Sequence, residues 1–114
     1  MNFALRHPDL VSHAVSMSGA FDIHQFLDGY YDGNCYYNCP PDFLPNLQDS
    51  WYLERIRQQR LVLATGENDI CLDENVRLGG IMSAKYIPHW LDVWGNGTGH
   101  DWPWWEQMAV KFLL

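Results

Sequence analysis

Apolar positions along the chain fall into short runs punctuated by Gly, Pro and Asp, and the spacing within each run predicts its element. Phe3, Ala4 and Leu5 cluster ahead of Arg6, His7 and Pro8, so Met1–His7 reads as a helix whose basic C-terminal turn is stopped by proline. No Ser, Thr, Asp or Asn precedes that helix as a cap, and the expectation is a helix that began further upstream. Val11 to Met17 predicts a strand closed by the turn Ser18-Gly19, and Ile23–Leu27 one helical turn. The span of about 28–49 is polar and aromatic and carries Gly29, Gly33, Pro40, Pro41 and Pro45, which predicts an ordered loop excursion with its Tyr and Phe buried. Trp51–Gln58 predicts a helix capped by Asp49 or Ser50.

Arg60 to Thr65 is a continuous apolar run closed by Gly66, the signature of a parallel strand covered on both faces. Leu72–Lys85 predicts a helix with Leu72, Val76 and Ile81 inward, weakened by Gly79-Gly80. Pro88–Trp94 predicts a third strand, Gly95–Gly99 a loop, and Trp102–Leu113 a closing helix. Asp101 caps that helix, Pro103 suits its first turn, and Trp105, Met108, Ala109 and Phe112 form its apolar stripe. Strands alternating with helices predict an α/β architecture of about three parallel strands in a single domain over 1–114.

Composition narrows the function. The net charge is −7, which disfavours a phosphate-backbone partner. No apolar window reaches the length of a membrane span, and no signal-peptide core opens the chain. Three cysteines, an odd count, favour a reducing compartment such as the cytoplasm over a disulfide framework. Cys35 and Cys39 lack the second ligand pair of a zinc site, so free thiols are expected, with Cys71 as packing. The cluster Asp69, Asp73 and Glu74 lacks the pattern of a calcium loop and reads as a solvated helix start. Gly95–Gly99 matches no phosphate-binding pattern, and its sequon Asn96-Gly97-Thr98 matters only in a secreted protein. His7, His13, His24 and His89 share no spacing and read as structural. No metal and no cofactor is expected.

In parallel sheets ligands gather at the carboxyl ends of strands. Gly66-Glu67-Asn68-Asp69 follows the second predicted strand and Gly99-His100-Asp101 the third, so a carboxylate and an imidazole emerge on one rim. That pair suits an acid-oriented general base; a turn aspartate and a loop histidine is the plainer alternative.

Leu63-Ala64-Thr65-Gly66-Glu67-Asn68-Asp69, followed by Gly97-Thr98-Gly99-His100-Asp101-Trp102, resembles the C-terminal part of α/β-hydrolase fold serine esterases, the esterase D-like family. Ala4-Leu5-Arg6-His7-Pro8-Asp9 and Ser16-Met17-Ser18-Gly19-Ala20-Phe21-Asp22 are similar too, as the helix behind the nucleophile and the next strand. The resemblance implies Asp69 as triad acid and His100 as triad base, in the chain order of that fold. The Gly-x-Ser-x-Gly nucleophile elbow is missing, and the resemblance places the serine upstream of Met1. It implies hydrolysis of a small-molecule acyl ester, with the 114-residue chain alone inactive. Ser18 and Trp102 are the candidate substrate contacts, and Ser18 a poor candidate nucleophile. Strands missing from the sheet would leave an exposed edge that favours self-association.

Two other readings remain open. Tyr30, Tyr31, Tyr36, Tyr37, Trp102 and Trp104 suit burial, but they would also suit stacking on a sugar in a non-catalytic hydrolase-like binding module. A metal or redox role for Cys35, Cys39 and Cys71 ranks last.

Overall fold

The computed structural model describes all residues, 1–114. Three strands, β1 (His13–Met17), β2 (Arg60–Gly66) and β3 (Trp90–Trp94), form one parallel sheet in the order β1-β2-β3. Leu61 aligns with Ala14, and Leu63 with Ser16 and Leu91, so these residues share one sheet face. Six helices flank the strands: α1 (Asn2–Arg6), α2 (Gly33–Tyr37), α3 (Pro40–Phe43), α4 (Ser50–Ile56), α5 (Leu72–Ala84) and α6 (Trp102–Leu113).

Helix α5 packs on the Leu61–Leu63–Leu91 face, where Leu78 and Met82 join the core with Leu5 and Ile56. The helix lies close to the sheet at Gly79, where a Cβ would stand in van der Waals contact with His89 at 3.4 Å and Leu91 at 3.5 Å. Helix α6 covers the opposite face, where Phe112 meets Trp90 edge-on and Lys111 pairs with Asp92 at 2.7 Å. Helix α6 begins as its sequence predicts, with the Asp101 carboxylate accepting from Trp102 N–H and Pro103 in the first turn. Asp49 caps α4 in the same way.

Three expectations need correction. The inward face of α5 is Asn75, Leu78, Gly79 and Met82, with Ile81 packed against the core as expected, while Val76 is exposed. Asn75 is buried because its amide donates to Gly19 O and Cys71 O, tying the helix to the turn after β1. The 28–49 excursion is not plain loop, since it holds α2, α3 and a 3-10 turn at Leu44–Asn46. Its tyrosines are not buried either. Tyr30, Tyr31 and Tyr37 are exposed, and the first two hold their hydroxyls against Asp32 and Asp42 instead of packing inward. Within the predicted solvated cluster, Glu74 is not simply solvated. Its carboxylate accepts from Phe21 N–H and Asp22 N–H, 2.9 Å each, and so anchors the segment after β1 to α5.

Candidate active site

Each strand delivers one residue to the carboxyl rim of the sheet. Ser18 follows β1, Asp69 lies three residues beyond β2, and His100 lies at the end of the loop after β3. The two later loops are bonded to each other. Glu67 N–H donates to Trp94 O, Asn68 N–H to Thr98 O, and Gly97 N–H to the Glu67 carboxylate at 2.6 Å. Asn96 and Gly97 both take positive φ, 58° and 78°, which folds the second loop back over the first. Gly66 permits this contact, because a Cβ there would stand 2.1 Å from Thr98 O. The glycine-rich segments therefore set the distance between carboxylate and imidazole.

His100 Nδ1 lies 3.0 Å from Asp69 Oδ1. The Asp69 side chain is fully buried, while that of His100 is 34% exposed. Asp69 Oδ1 also accepts from Cys71 N–H at 2.8 Å, an Asx turn that orients the carboxylate. Asp69 Oδ2 accepts from the hydroxyl of Ser18, which in turn accepts from the indole N–H of Trp105 at 2.9 Å. Burial opposes charge on Asp69, but the hydrogen bonds from Ser18, Cys71 N–H and His100 outweigh it and hold the carboxyl below its ordinary value. An ionised Asp69 requires a proton on His100 Nδ1, so in the neutral ring the lone pair lies on Nε2.

Four predicted residues thus have definite places. Asp69 and His100 are paired. Ser18 is buried behind Asp69, 4% exposed, and its proton is committed to the carboxylate and not to the imidazole. Trp102 is 69% exposed at the start of α6 and reaches the pair only through Trp105, against which it stands edge-on at 5.2 Å. The sequence places Trp105 on the apolar stripe of α6 and near His100 in the chain, with no role of its own at the site. Its ring also packs edge-to-face on His100 at 4.9 Å, a contact signalled by its place in the first turn of the helix that follows His100.

Two groups bring potential metal ligands within 4.8 Å of one another: Asp69, Cys71 and His100, and Asp22, His24 and Cys39. Burial pushes both thiols, Cys71 and Cys39, above their ordinary value, which keeps them protonated. Arg77 occupies Asp22 and the Asp42 carboxylate occupies His24, so the second group is satisfied by protein partners. A cavity of about 720 Å³ lies elsewhere, between α1 and α4, lined by residues such as Leu5, Tyr36 and Trp51 and by neither Asp69 nor His100.

No protein-family model and no curated protein matches the sequence. Solved structures do. A ferulic acid esterase superimposes over 98% of the chain with a TM-score of 0.80 and 21% identity. S-formylglutathione hydrolase from Staphylococcus aureus matches over 96% with a TM-score of 0.66 and 20% identity. A fluorophosphonate-binding serine hydrolase of Staphylococcus aureus, in substrate-bound form, matches over 96% with a TM-score of 0.65 and 21% identity. The chain spans only 43–46% of the length of these proteins. Its three parallel strands and flanking helices have the fold of the C-terminal part of an α/β hydrolase.

Proposed function

We propose that these 114 residues are the C-terminal portion of a serine carboxylic-ester hydrolase, one partial α/β-hydrolase domain that contributes acid and base to a Ser-Asp-His triad. The observation that carries this reading is the buried Asp69 carboxylate bonded to Nδ1 of a partly exposed His100, on the carboxyl rim of adjacent parallel strands. The serine belongs upstream of Met1. It attacks the acyl carbonyl while His100 Nε2 takes its proton and returns it to the leaving alcohol. Asp69 holds the ring tautomer and stabilises the imidazolium as it forms. Water then cleaves the acyl-enzyme with His100 again as base. The substrate is a small-molecule acyl ester, and the exposed indole of Trp102 is the side chain we assign to contact it. Where the serine-bearing strands are lacking, the outer edge of β1 favours self-association.

The test has two arms. The 114-residue chain should neither hydrolyse a small acyl ester nor react with a fluorophosphonate, because losing the nucleophile costs on the order of 10⁶ in turnover. In the longer protein, His100→Ala should abolish turnover; retained activity would sink the assignment. The exposed Tyr30, Tyr31, Tyr37 and Trp102 favour one second reading, a hydrolase-like module that binds carbohydrate. Saturable sugar binding by the chain, with no ester turnover by the longer protein, would select it.

A further inference from the structure

We propose that Trp105 and Ser18 are positioning residues: Trp105 donates its indole N–H to Ser18, Ser18 donates its hydroxyl to Asp69, and the same indole buttresses the His100 ring. The inference rests on the reading of Asp69 and His100 as acid and base, and adds how their relative geometry is held.

Donor chemistry fixes the direction of this chain. An indole N–H can only donate, so Ser18 Oγ, 2.9 Å away, must accept from it. The single hydroxyl proton of Ser18 is then left for Asp69 Oδ2. Cys71 N–H is also donor-only and takes Asp69 Oδ1 at 2.8 Å. With both oxygens engaged, the carboxylate is locked in the orientation that accepts from His100 Nδ1 at 3.0 Å. Turning the carboxylate out of this orientation would break its three bonds, from Ser18, Cys71 N–H and His100. The other side of the pair is held by the same residue, since the indole of Trp105 meets the His100 ring at 90° and 4.9 Å.

The backbone at Ser18 is consistent with a constrained role. Ser18 has φ of 55°, a left-handed conformation that is unfavourable for a non-glycine residue. Its own N–H donates to Ala64 O at 2.8 Å, extending the β1–β2 ladder by one residue and holding that conformation. The next residue is closely surrounded: a Cβ on Gly19 would lie 2.2 Å from Ser16 Oγ and 2.5 Å from the Phe21 ring, so those side chains would have to shift to admit one. Strain of this kind persists where surrounding structure over-determines it, and clusters at functional sites. Because its hydroxyl proton goes to the Asp69 carboxylate, Ser18 acts through Asp69 and not as a nucleophile.

The experiment is nitrogen NMR on the chain, with His100 in its neutral form. In the unmodified chain the Trp105 indole N–H should exchange with solvent at least about tenfold more slowly than that of exposed Trp102. His100 ring shifts should report the proton on Nδ1. Ser18→Ala and Trp105→Phe should each lower the Nδ1–H population, and Ser18→Ala should also bring Trp105 exchange towards that of Trp102. Trp105→Phe keeps an aromatic ring beside His100 but removes packing volume along with the donor, so Ser18→Ala, which leaves the indole in place, is the variant that separates the relay from packing. Well-dispersed amide spectra identify the variants that fold. Unchanged His100 shifts in both folded variants, or Trp105 exchanging as fast as Trp102, would overturn the relay and leave the acid–base reading intact. A proton on Nε2 in the unmodified chain would overturn the acid–base reading itself.

Discussion

Gly66 is where fold and site meet, and replacing it by alanine tests the geometry of both. The added methyl would begin 2.1 Å from Thr98 O and 2.6 Å from Thr98 C, against the 3.4 Å at which ordinary contact begins. The obstacle is backbone, so no side-chain rotation relieves it. Either the Thr98 peptide retreats, with loss of its 2.9 Å bond from Asn68 N–H, or β2 bends at its buried end. Overpacking of this kind costs about 1–3 kcal/mol. With a urea m-value of about 1–3 kcal/mol/M for a small domain, the unfolding midpoint should fall by about 1 M.

Gly80→Ala supplies the opposite sign. Gly80 lies in α5, its φ is not positive, and a Cβ there meets nothing within 4 Å. Replacement by alanine removes unfolded-state freedom and improves helix propensity, a gain of about 0.4–1 kcal/mol. Urea titration followed by tryptophan fluorescence measures both variants in one assay. Since Thr98 is two residues from His100, the Gly66 variant should also lengthen the 3.0 Å contact to Asp69 and cost the longer protein on the order of 10²-fold in turnover. A Gly66→Ala chain as stable as its parent, with His100 still paired to Asp69, would refute the argument that this glycine sets the loop contact.

Other expectations follow from the same structure. Leu63 is fully buried in the centre of β2, and Leu63→Ala should cost about 2–5 kcal/mol in the same urea titration. Asp69 is held below its ordinary value near 3.8, so the unfolded state binds more protons in that range. Its contribution to stability is present above that value and is lost as pH falls through the lower folded one. Asp32 and Asp42 are depressed as well, so the comparison is between the parent and Asp69→Asn. The variant should show a shallower loss of stability on acidification, measured as unfolding free energy against pH, and an identical slope would contradict the assignment.

Elements with strong local signals were legible in the sequence. Strand β2 announced itself as an unbroken apolar run, and α6 carried its cap, its first-turn proline and its stripe. The inward face of α5 was not legible, because Asn75, the residue that faces inward first, is polar. It is buried only because Gly19 O and Cys71 O, one of them 56 positions away, accept its amide protons. Helices α2 and α3 are five and four residues long, too short to form on propensity alone. Asp32 caps the first, whose Tyr36 packs against the core, and Pro40-Pro41 opens the second, whose Phe43 lies in the core. Tyr30 and Tyr31 of the same span violate a rule of thumb about aromatic burial because their hydroxyls found carboxylates at the surface.

The same division runs through the site. Asp69 and His100 could be placed on one rim from strand order alone, since consecutive parallel strands end side by side. The bonds that bring them to 3.0 Å are mostly between loops: Glu67 to Gly97, Asn68 to Thr98, and Cys71 N–H to the carboxylate. Backbone groups make most of these bonds, and a backbone group leaves little trace in residue identity beyond the glycines that make room for it. Trp105 and Ser18 are visible as letters but not as partners, because 87 positions separate them. All of these bonds lie within the chain. The Asp69–His100 pair is therefore brought to 3.0 Å by contacts made within these 114 residues, and the proposed acid and base need no side chain from elsewhere to meet.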